Sequence, residues 1–422
     1  MPQQVIVIGA GMVGLSTAWY LQRSDVEVTV VDRRNVAAGA SEGNAGWLTP
    51  ALVLPLAEPA LLKTGAAMML DASSPLYVPP TPNPRVLQFL IGFARHCTSR
   101  SWRYATNVLG QACLRMQESY DEMVLPTSTG APAVASAVKD ADPFLAMFST
   151  EAARKSLLEE FHHLEALGLP PDYSLLDGAD ARTASPIFND NARFGIELRG
   201  QRFINPSQFM LALGDAVIAG GGRIECERTV SRVEQHGREV HVRFEDGSYI
   251  SGDAAVIAAG SWMDRLARSH GVRKIVQAGR GYSFTVYPEH TPGNPFYLPA
   301  ERVACTPLGG SQDGLRVCGT MEFRPPDAPL DQRRIDAIVA AASRMLTGID
   351  WSERSDEWVG PRPCTTDGLP LIGKTMSDRV YVGGGHGMWG IALGPLTGKL
   401  LAQQITTGET DPLLLAFDPL RP

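Results

Sequence analysis

Two glycine-spaced turns and one rigidly framed arginine carry most of the chemistry this sequence could perform. Gly9-x-Gly11-x-x-Gly14 follows the β-branched run Val5 to Ile8. Gly9 permits a tight turn, Gly11 admits a pyrophosphate close to the backbone, and Gly14 lets a helix pack on the strand. The helix start then presents free N–H groups and a positive dipole end to phosphate. Asp32 closes the next strand-like run, where a carboxylate can accept hydrogen bonds from ribose hydroxyls. Strand, turn, helix and acid-terminated strand are all present, so a dinucleotide is the expected ligand. A strand–helix turn that binds nothing is the alternative.

Gly385-x-Gly387-x-x-Gly390 repeats the glycine spacing near the other end of the chain. Too little sequence follows for a second acid-terminated strand, so a second dinucleotide site is not expected. The expected role is a helix start facing the far end of the same ligand, where its dipole stabilises negative charge. A glycine-rich packing turn is the alternative.

Arg362 lies in Gly360-Pro361-Arg362-Pro363. Prolines and glycine fix the backbone around a planar, permanently charged group, which suits two-pronged recognition of a carboxylate. A solvated arginine on a surface turn is equally open. Tyr282 follows Gly281 and could hold a carboxylate or line a pocket, with core packing as the alternative. His386, inside the second glycine turn, is either near the ligand or structural. Glu322 reads as a solvated strand residue.

The elements that must position these groups follow from periodicity. Strands are expected at 5–8, 26–31, 223–243 (two, about Gly237), 254–259 and 379–382, with antiparallel strands over 280–323 turning at Gln312-Asp313-Gly314. Helices are expected at 15–23, 86–96, 101–122, 150–167, 203–219, 331–347 and 391–405, that of 203–219 starting after Asn205-Pro206. The proline-rich stretch 75–84 reads as a linker. The fold class is α/β: a Rossmann-type dinucleotide domain, assembled from 1–75, 172–265 and 355–422, interleaved with a mixed-sheet α+β substrate domain from 76–171 and 266–354.

Composition narrows the function. The chain has 422 residues, 44% hydrophobic and 20% charged, which excludes wholesale disorder. A net charge of −7 without a basic block argues against nucleic acid as a partner. Six scattered cysteines show no metal spacing and no disulfide framework, and no metal is expected. No basic segment precedes the first apolar run, and the glycine-rich stretch 380–398 makes a poor spanning helix. The expected location is cytoplasmic, with peripheral contact at the inner face of the membrane left open. HExxH, GxSxG and Walker A motifs are absent from the sequence.

The chain resembles the FAD-dependent amino-acid oxidoreductases, among them D-amino-acid dehydrogenases of the small-subunit type, glycine oxidases and sarcosine oxidases. The likeness rests on VIVIGAGMVGLSTAWYL, Ser41 with Asn44-Ala45-Gly46, Gly281-Tyr282-Ser283, GPRPCTTDGLPLIG and DRVYVGGGHGMWGIALGPLTGKLL, in one order along nearly the whole chain. It departs from the commonest D-amino-acid dehydrogenase pattern at Trp47, Trp389 and Gly383-Gly384-Gly385. The resemblance implies FAD contacts at Gly9, Gly11, Met12, Val13, Gly14, Asp32, Arg33, Ser41, Asn44, Ala45, Gly46, Val230 and Gly260. It adds Gly385, His386, Gly387, Met388, Gly390 and Ile391 from the last turn. Arg362 matches the arginine that grips the substrate carboxylate, and Tyr282 matches a pocket-wall residue; with His386 they form the candidate catalytic set. The flavin-tethering cysteine of sarcosine oxidases has no clear counterpart, Cys364 being offset, so non-covalent FAD is expected.

What the resemblance implies is oxidation of a D-amino acid to the imine by hydride transfer from Cα to flavin N5. The imine then hydrolyses to a 2-oxo acid and ammonia. The partner is a small amino-acid substrate, and the electron acceptor is left open among a quinone, a dye-like acceptor and oxygen. Two other readings stay open: oxidation of a secondary amine such as sarcosine or hydroxyproline, and a flavin electron-relay subunit of a larger complex.

Overall fold

A computed structural model describes residues 2–61, 71, 73–125, 132–309 and 314–422. Val5 and Val7 pack into one core cluster and Ile6 and Ile8 into another, so the first strand is buried on both faces. That is the environment of a central parallel strand. Gln4–Ile8 pairs in parallel with Glu27–Val31 and with Ala254–Ile257, Val7 standing opposite Val30 on one side and Val256 on the other. The six-stranded sheet runs Arg223–Glu225, Glu27–Val31, Gln4–Ile8, Ala254–Ile257, Val380–Gly384, Leu371–Lys374. Only the last pair is antiparallel. Such a parallel order requires each crossover to return over a face of the sheet.

One face is covered by the helices Met12–Gln22, Pro206–Ala219 and Gly390–Thr407. The other carries an antiparallel three-stranded sheet, Val230–His236, Glu239–Phe244 and Tyr249–Gly252. Helices Met12–Gln22 and Gly390–Thr407 approach closely because glycines face the crossing. A Cβ on Gly394 would stand 2.4 Å from Met12 Cγ, and one on Gly398 2.6 Å from the Ser16 carbonyl carbon. The helix Pro206–Ala219 begins where the sequence places its cap: the Asn205 side chain accepts from Gln208 N–H at 3.2 Å, and Pro206 occupies the first turn. Phe203, expected in this helix, lies in the strand Gln201–Ile204 before it.

A second, nine-stranded mixed sheet runs Ser355–Cys364, Gln277–Val286, Leu315–Phe323, Val303–Pro307, Phe296–Leu298, Phe144–Phe148, Phe194–Leu198, Tyr173–Asp177, with Leu76–Tyr77 added beside Leu315–Phe323. Helix Gln332–Ala342 covers part of it. A small sheet of Trp47–Leu48, Gln201–Ile204 and Val138–Ala141 joins the two parts.

These pairings redistribute the expected segments. Tyr173–Asp177, Phe194–Leu198 and Ser355–Cys364 hydrogen-bond into the mixed sheet rather than the parallel one. Helix Ser99–Val124, expected on the substrate side, packs with the helices of the parallel sheet, and Tyr120 donates from its hydroxyl to Ile391 O at 2.7 Å. In the expected linker, Leu76–Tyr77 is a strand. The Gln312-Asp313 part of the expected turn lies outside the described residues. Among the described residues no helix is long and apolar enough to cross a membrane.

Candidate active site

A cleft runs from Asp32 and Val230, past the glycine turn Gly9–Val13, to Gly260, Arg362 and the Gly387–Ile391 turn. Three chain segments distant in sequence meet there because the parallel strands 4–8, 254–257 and 380–384 lie side by side. Their carboxyl ends all open on one edge, the usual ligand position of an open α/β sheet.

The first turn has the geometry its spacing requires. Gly9 has φ +118, and a Cβ there would stand 2.4 Å from Ala258 O. A Cβ on Gly14 would stand 1.8 Å from Gly9 O, so Gly14 serves packing and does not line the cleft. Gly11 lines it, with only Ser41 Oγ, 3.5 Å away, near a notional Cβ. No side chain of Gly11, the N-cap, can cap helix Met12–Gln22. Ser41 Oγ instead accepts from Met12 N–H at 3.3 Å. Asp32 braces the turn: Oδ2 accepts from Ala10 N–H and Oδ1 from Arg34 N–H, each at 2.8 Å. Each oxygen keeps a lone pair for another donor. An open backbone beside a helix start with no N-cap side chain, and an acid at the next strand end, fits a dinucleotide.

The last helix, Gly390–Thr407, starts on the same cleft, also without a side-chain cap. His386, Gly387, Gly390 and Ile391 line the cleft, while Gly385 and Met388 line a smaller adjoining cavity with Cys364 and Trp389. His386 is buried, its Nε2 2.8 Å from Thr397 Oγ1, and that hydroxyl donates to Leu393 O at 2.9 Å. The Thr397 proton is thus committed, so Nε2 carries the imidazole proton and donates. Burial pushes the histidine pKa down to about 3. His386 is therefore neutral near neutral pH.

Arg362 lines the cleft from the strand Ser355–Cys364. Five arginines line this cleft, and four face carboxylates: Arg33 and Arg34 at Asp327, Arg228 at Glu225 and Arg265 at Glu245. Among the described residues no carboxylate pairs with Arg362. Its Nη1 lies 3.5 Å from Thr320 O, long for an N–H···O bond. Burial lowers the Arg362 pKa from its ordinary value. A half-buried cation without an anion beside it is a site that an anionic ligand completes.

The other candidates near it are committed elsewhere. Tyr282 is fully buried in the core of the mixed sheet and does not line the cleft. Its hydroxyl donates to Glu322 Oε1 at 2.6 Å, and burial, reinforced by that carboxylate, raises its pKa. Arg280 donates to the same oxygen at 3.0 Å and to Ala328 O and Pro329 O. Glu322, expected on a solvated strand, is fully buried within this network. Tyr282 thus stiffens the strand behind Arg362 rather than walling a pocket. Ala45 and Gly46 also stand off the cleft: Ala45 O accepts from Thr306 Oγ1, and Gly46 N–H donates to Asn44 Oδ1, which fixes Asn44 beside the cleft.

Sequence reasoning missed a clasp at the cleft edge. Arg33 lies over the Trp262 ring, 3.9 Å from its centroid, and Asp327 accepts from Arg33 Nη2 at 2.5 Å and from Trp262 Nε1 at 2.9 Å. Asp327 belongs to the segment following strand Leu315–Phe323 of the mixed sheet, so the clasp joins the two sheets across the cleft. The segment Ala259-Gly260-Ser261-Trp262 after a strand was a findable signal for Trp262; no local pattern marks Asp327.

Residues 4–404 match the family described as FAD dependent oxidoreductase. The chain is 29% identical over 411 residues to a D-amino acid dehydrogenase of Rhizorhabdus wittichii, spanning 95% of this chain and 96% of that one. It is 28% identical over 409 residues to a D-amino acid dehydrogenase of Phenylobacterium zucineum, spanning 95% and 93%. The solved structure of glycine oxidase from Geobacillus kaustophilus aligns with a TM-score of 0.73 at 19% identity, over 100% of this chain and 99% of that one, a likeness of fold.

Proposed function

The chain belongs to the FAD-dependent oxidoreductase family, and from that premise we propose that it oxidises a D-amino acid to the imine, which water converts to a 2-oxo acid and ammonia. The observation that carries the reading is Arg362, the one arginine of the cleft that faces no carboxylate among the described residues. A substrate carboxylate supplies the missing anion, and the guanidinium fork fixes its orientation. The relatives named D-amino acid dehydrogenase, which share the chain almost end to end, support the choice of substrate class.

FAD, when bound, supplies the acceptor for the hydride that leaves the substrate Cα. The chain's own residues bind and orient. Asp32 takes the ribose hydroxyls, the start of helix Met12–Gln22 takes the pyrophosphate, and the start of helix Gly390–Thr407 faces the flavin end, where its dipole favours negative charge. Arg362 sets the substrate against that end. No residue is asked to carry a proton if the amine binds in its neutral form.

The test is a panel of D- and L-amino acids, sarcosine and hydroxyproline, added anaerobically to the purified holoprotein. Bleaching of the flavin by D-amino acids, with the colour restored by a quinone, a dye or oxygen, is the expected result. Bleaching only by secondary amines or L-amino acids overturns the substrate class. No bleaching by any of them without a partner protein replaces the reading with an electron-relay subunit.

A further inference from the structure

We propose that the small cavity adjoining the flavin end of the cleft receives the substrate side chain and admits a short apolar one, with Leu56 and Met388 setting the limit. The inference rests on the reading of Arg362 as the carboxylate anchor. Cavity and cleft share a wall, since His386 and Gly387 line both. They are also joined by one strand. Arg362 lines the cleft and Cys364 the cavity, two residues apart on Ser355–Cys364. Alternate residues of a strand share a face, and the neighbouring strand shows that these two do. A Cβ on Gly279 would stand 2.8 Å from Cys364 Sγ, and one on Gly281 2.2 Å from Arg362 Cζ. Two residues of strand span about 7 Å, so the anchor and the cavity wall lie within the reach of one small amino acid.

The chemistry of the lining sets what enters. Leu56, Cys364, Met388 and Trp389 give it apolar surface, and no Asp, Glu, Lys or Arg is among the described residues that line it. Its polar side chains hydrogen-bond within the protein. Thr365 Oγ1 donates to Leu369 O at 2.9 Å, Trp389 Nε1 to Leu54 O at 2.9 Å, and His386 Nε2 to Thr397 Oγ1 at 2.8 Å. A charged side chain would enter without a partner and at heavy cost, whereas an apolar one gains by burial. The walls are also tied to one another. The Trp389 bond fastens the turn before the last helix to the segment that carries Leu56. Gly368, with φ +75, is pressed against the same segment, where its Cβ would stand 3.1 Å from Pro55 Cβ. A cavity braced on these sides does not widen for a long chain.

The experiment compares the parent holoenzyme with Leu56→Ala, Met388→Ala and Arg362→Ala. kcat/KM is measured for D-alanine, D-norleucine and D-glutamate. Propionate and hexanoate are titrated as unreactive carboxylates by the change in flavin absorbance, and FAD content is measured in parallel. The parent should oxidise D-alanine far faster than D-norleucine or D-glutamate, and bind propionate more tightly than hexanoate. Leu56→Ala or Met388→Ala should raise the ratio of D-norleucine to D-alanine about tenfold, the effect of one methylene in an apolar pocket. Hexanoate affinity should rise with it, and D-glutamate should stay poor. A parent that oxidises D-norleucine or D-glutamate as well as D-alanine overturns the proposal. Ratios and hexanoate affinities unmoved in both enlarging variants, with propionate binding lost in Arg362→Ala, overturn the cavity's role and leave the anchor standing. Propionate affinity unmoved in Arg362→Ala overturns the anchor and this inference with it. Loss of FAD from Met388→Ala, with the ratio unmoved in Leu56→Ala, assigns the cavity to the cofactor and overturns the proposal. A ratio raised in Leu56→Ala alone supports it.

Discussion

The guanidinium group of Arg362 lies against the α-carbon of Gly281, so closely that a methyl group there would stand 2.2 Å from both Cζ and Nη2. The glycine is needed for space, since its φ is not in the left-handed region. What it accommodates is the far end of a flexible side chain, so a small substituent displaces the arginine rather than the fold. Gly281→Ala should keep FAD content and Tm near those of the parent while kcat/KM falls by about a hundredfold, the usual cost of misplacing a binding group by an ångström. Kinetics beside a melting curve check it; a large fall in Tm with little kinetic change would make Gly281 a packing residue only.

Arg362→Ala should retain FAD and lose kcat/KM steeply. Leaving a buried charge without its partner costs about 3–5 kcal/mol, or roughly a hundred- to several-thousand-fold. Lysine should recover part of the loss, because an ammonium cannot make the two-pronged contact. Amino-acid amides, which carry no negative charge there, should suffer far less than the acids. Equal losses for acid and amide would end the carboxylate-anchor role.

His386 should leave a mark on stability rather than on turnover. Its folded pKa, about 3, lies below its ordinary value of 6.5, so the unfolded chain takes up the proton first. The stability that neutral His386 provides is therefore intact above about pH 6.5 and is lost as pH falls from there toward 3. Tm should drop more steeply between pH 6.5 and pH 4 in the parent than in His386→Gln, whose amide can still donate to Thr397. Parallel Tm curves would show that the imidazole does not resist protonation.

Asp327→Ala should hasten release of FAD without changing substrate preference. The Asp327 carboxylate is half exposed, so its bonds to Arg33 and Trp262 are partly screened. Pairs of this kind contribute at most about 1 kcal/mol, so the release rate should rise no more than about fivefold. The difference between variant and parent should shrink at high salt. FAD fluorescence during dilution into a flavin trap measures it, and identical release rates at low salt would remove the clasp from cofactor retention.

The parts of the site legible in sequence are those whose cause is local. The glycine turn, Asp32 and the cap at Asn205-Pro206 each depend on neighbours a few residues away, and each lies where the spacing puts it. The burial of Val5 to Ile8 on both faces was readable for the same reason, from a continuous β-branched run. Partners across the fold were not. The amphipathic helix Ser99–Val124 declares that one face is buried but not against which sheet. Tyr173–Asp177, Phe194–Leu198 and Ser355–Cys364 look like strands of any sheet. Gly281-Tyr282 shows that a tyrosine follows a glycine, whereas the buried carboxylate that holds its hydroxyl, Glu322, lies 40 residues on. The clasp joins Arg33 to Asp327 over 294 residues, a distance at which no local pattern operates.

The side-by-side strands 4–8, 254–257 and 380–384 have a consequence for the order of events on the ribosome. The glycine turn emerges well before the strand that covers one side of it, and the helix start that completes the cleft emerges later still. Such non-local pairing is slow to form and leaves apolar strands uncovered meanwhile. The complete cleft therefore exists only once the segment around Gly390 has been made. A nascent chain halted before Gly383 would carry the phosphate turn but only part of the cleft, with Val5 to Ile8 dependent on whatever shields them in the interval.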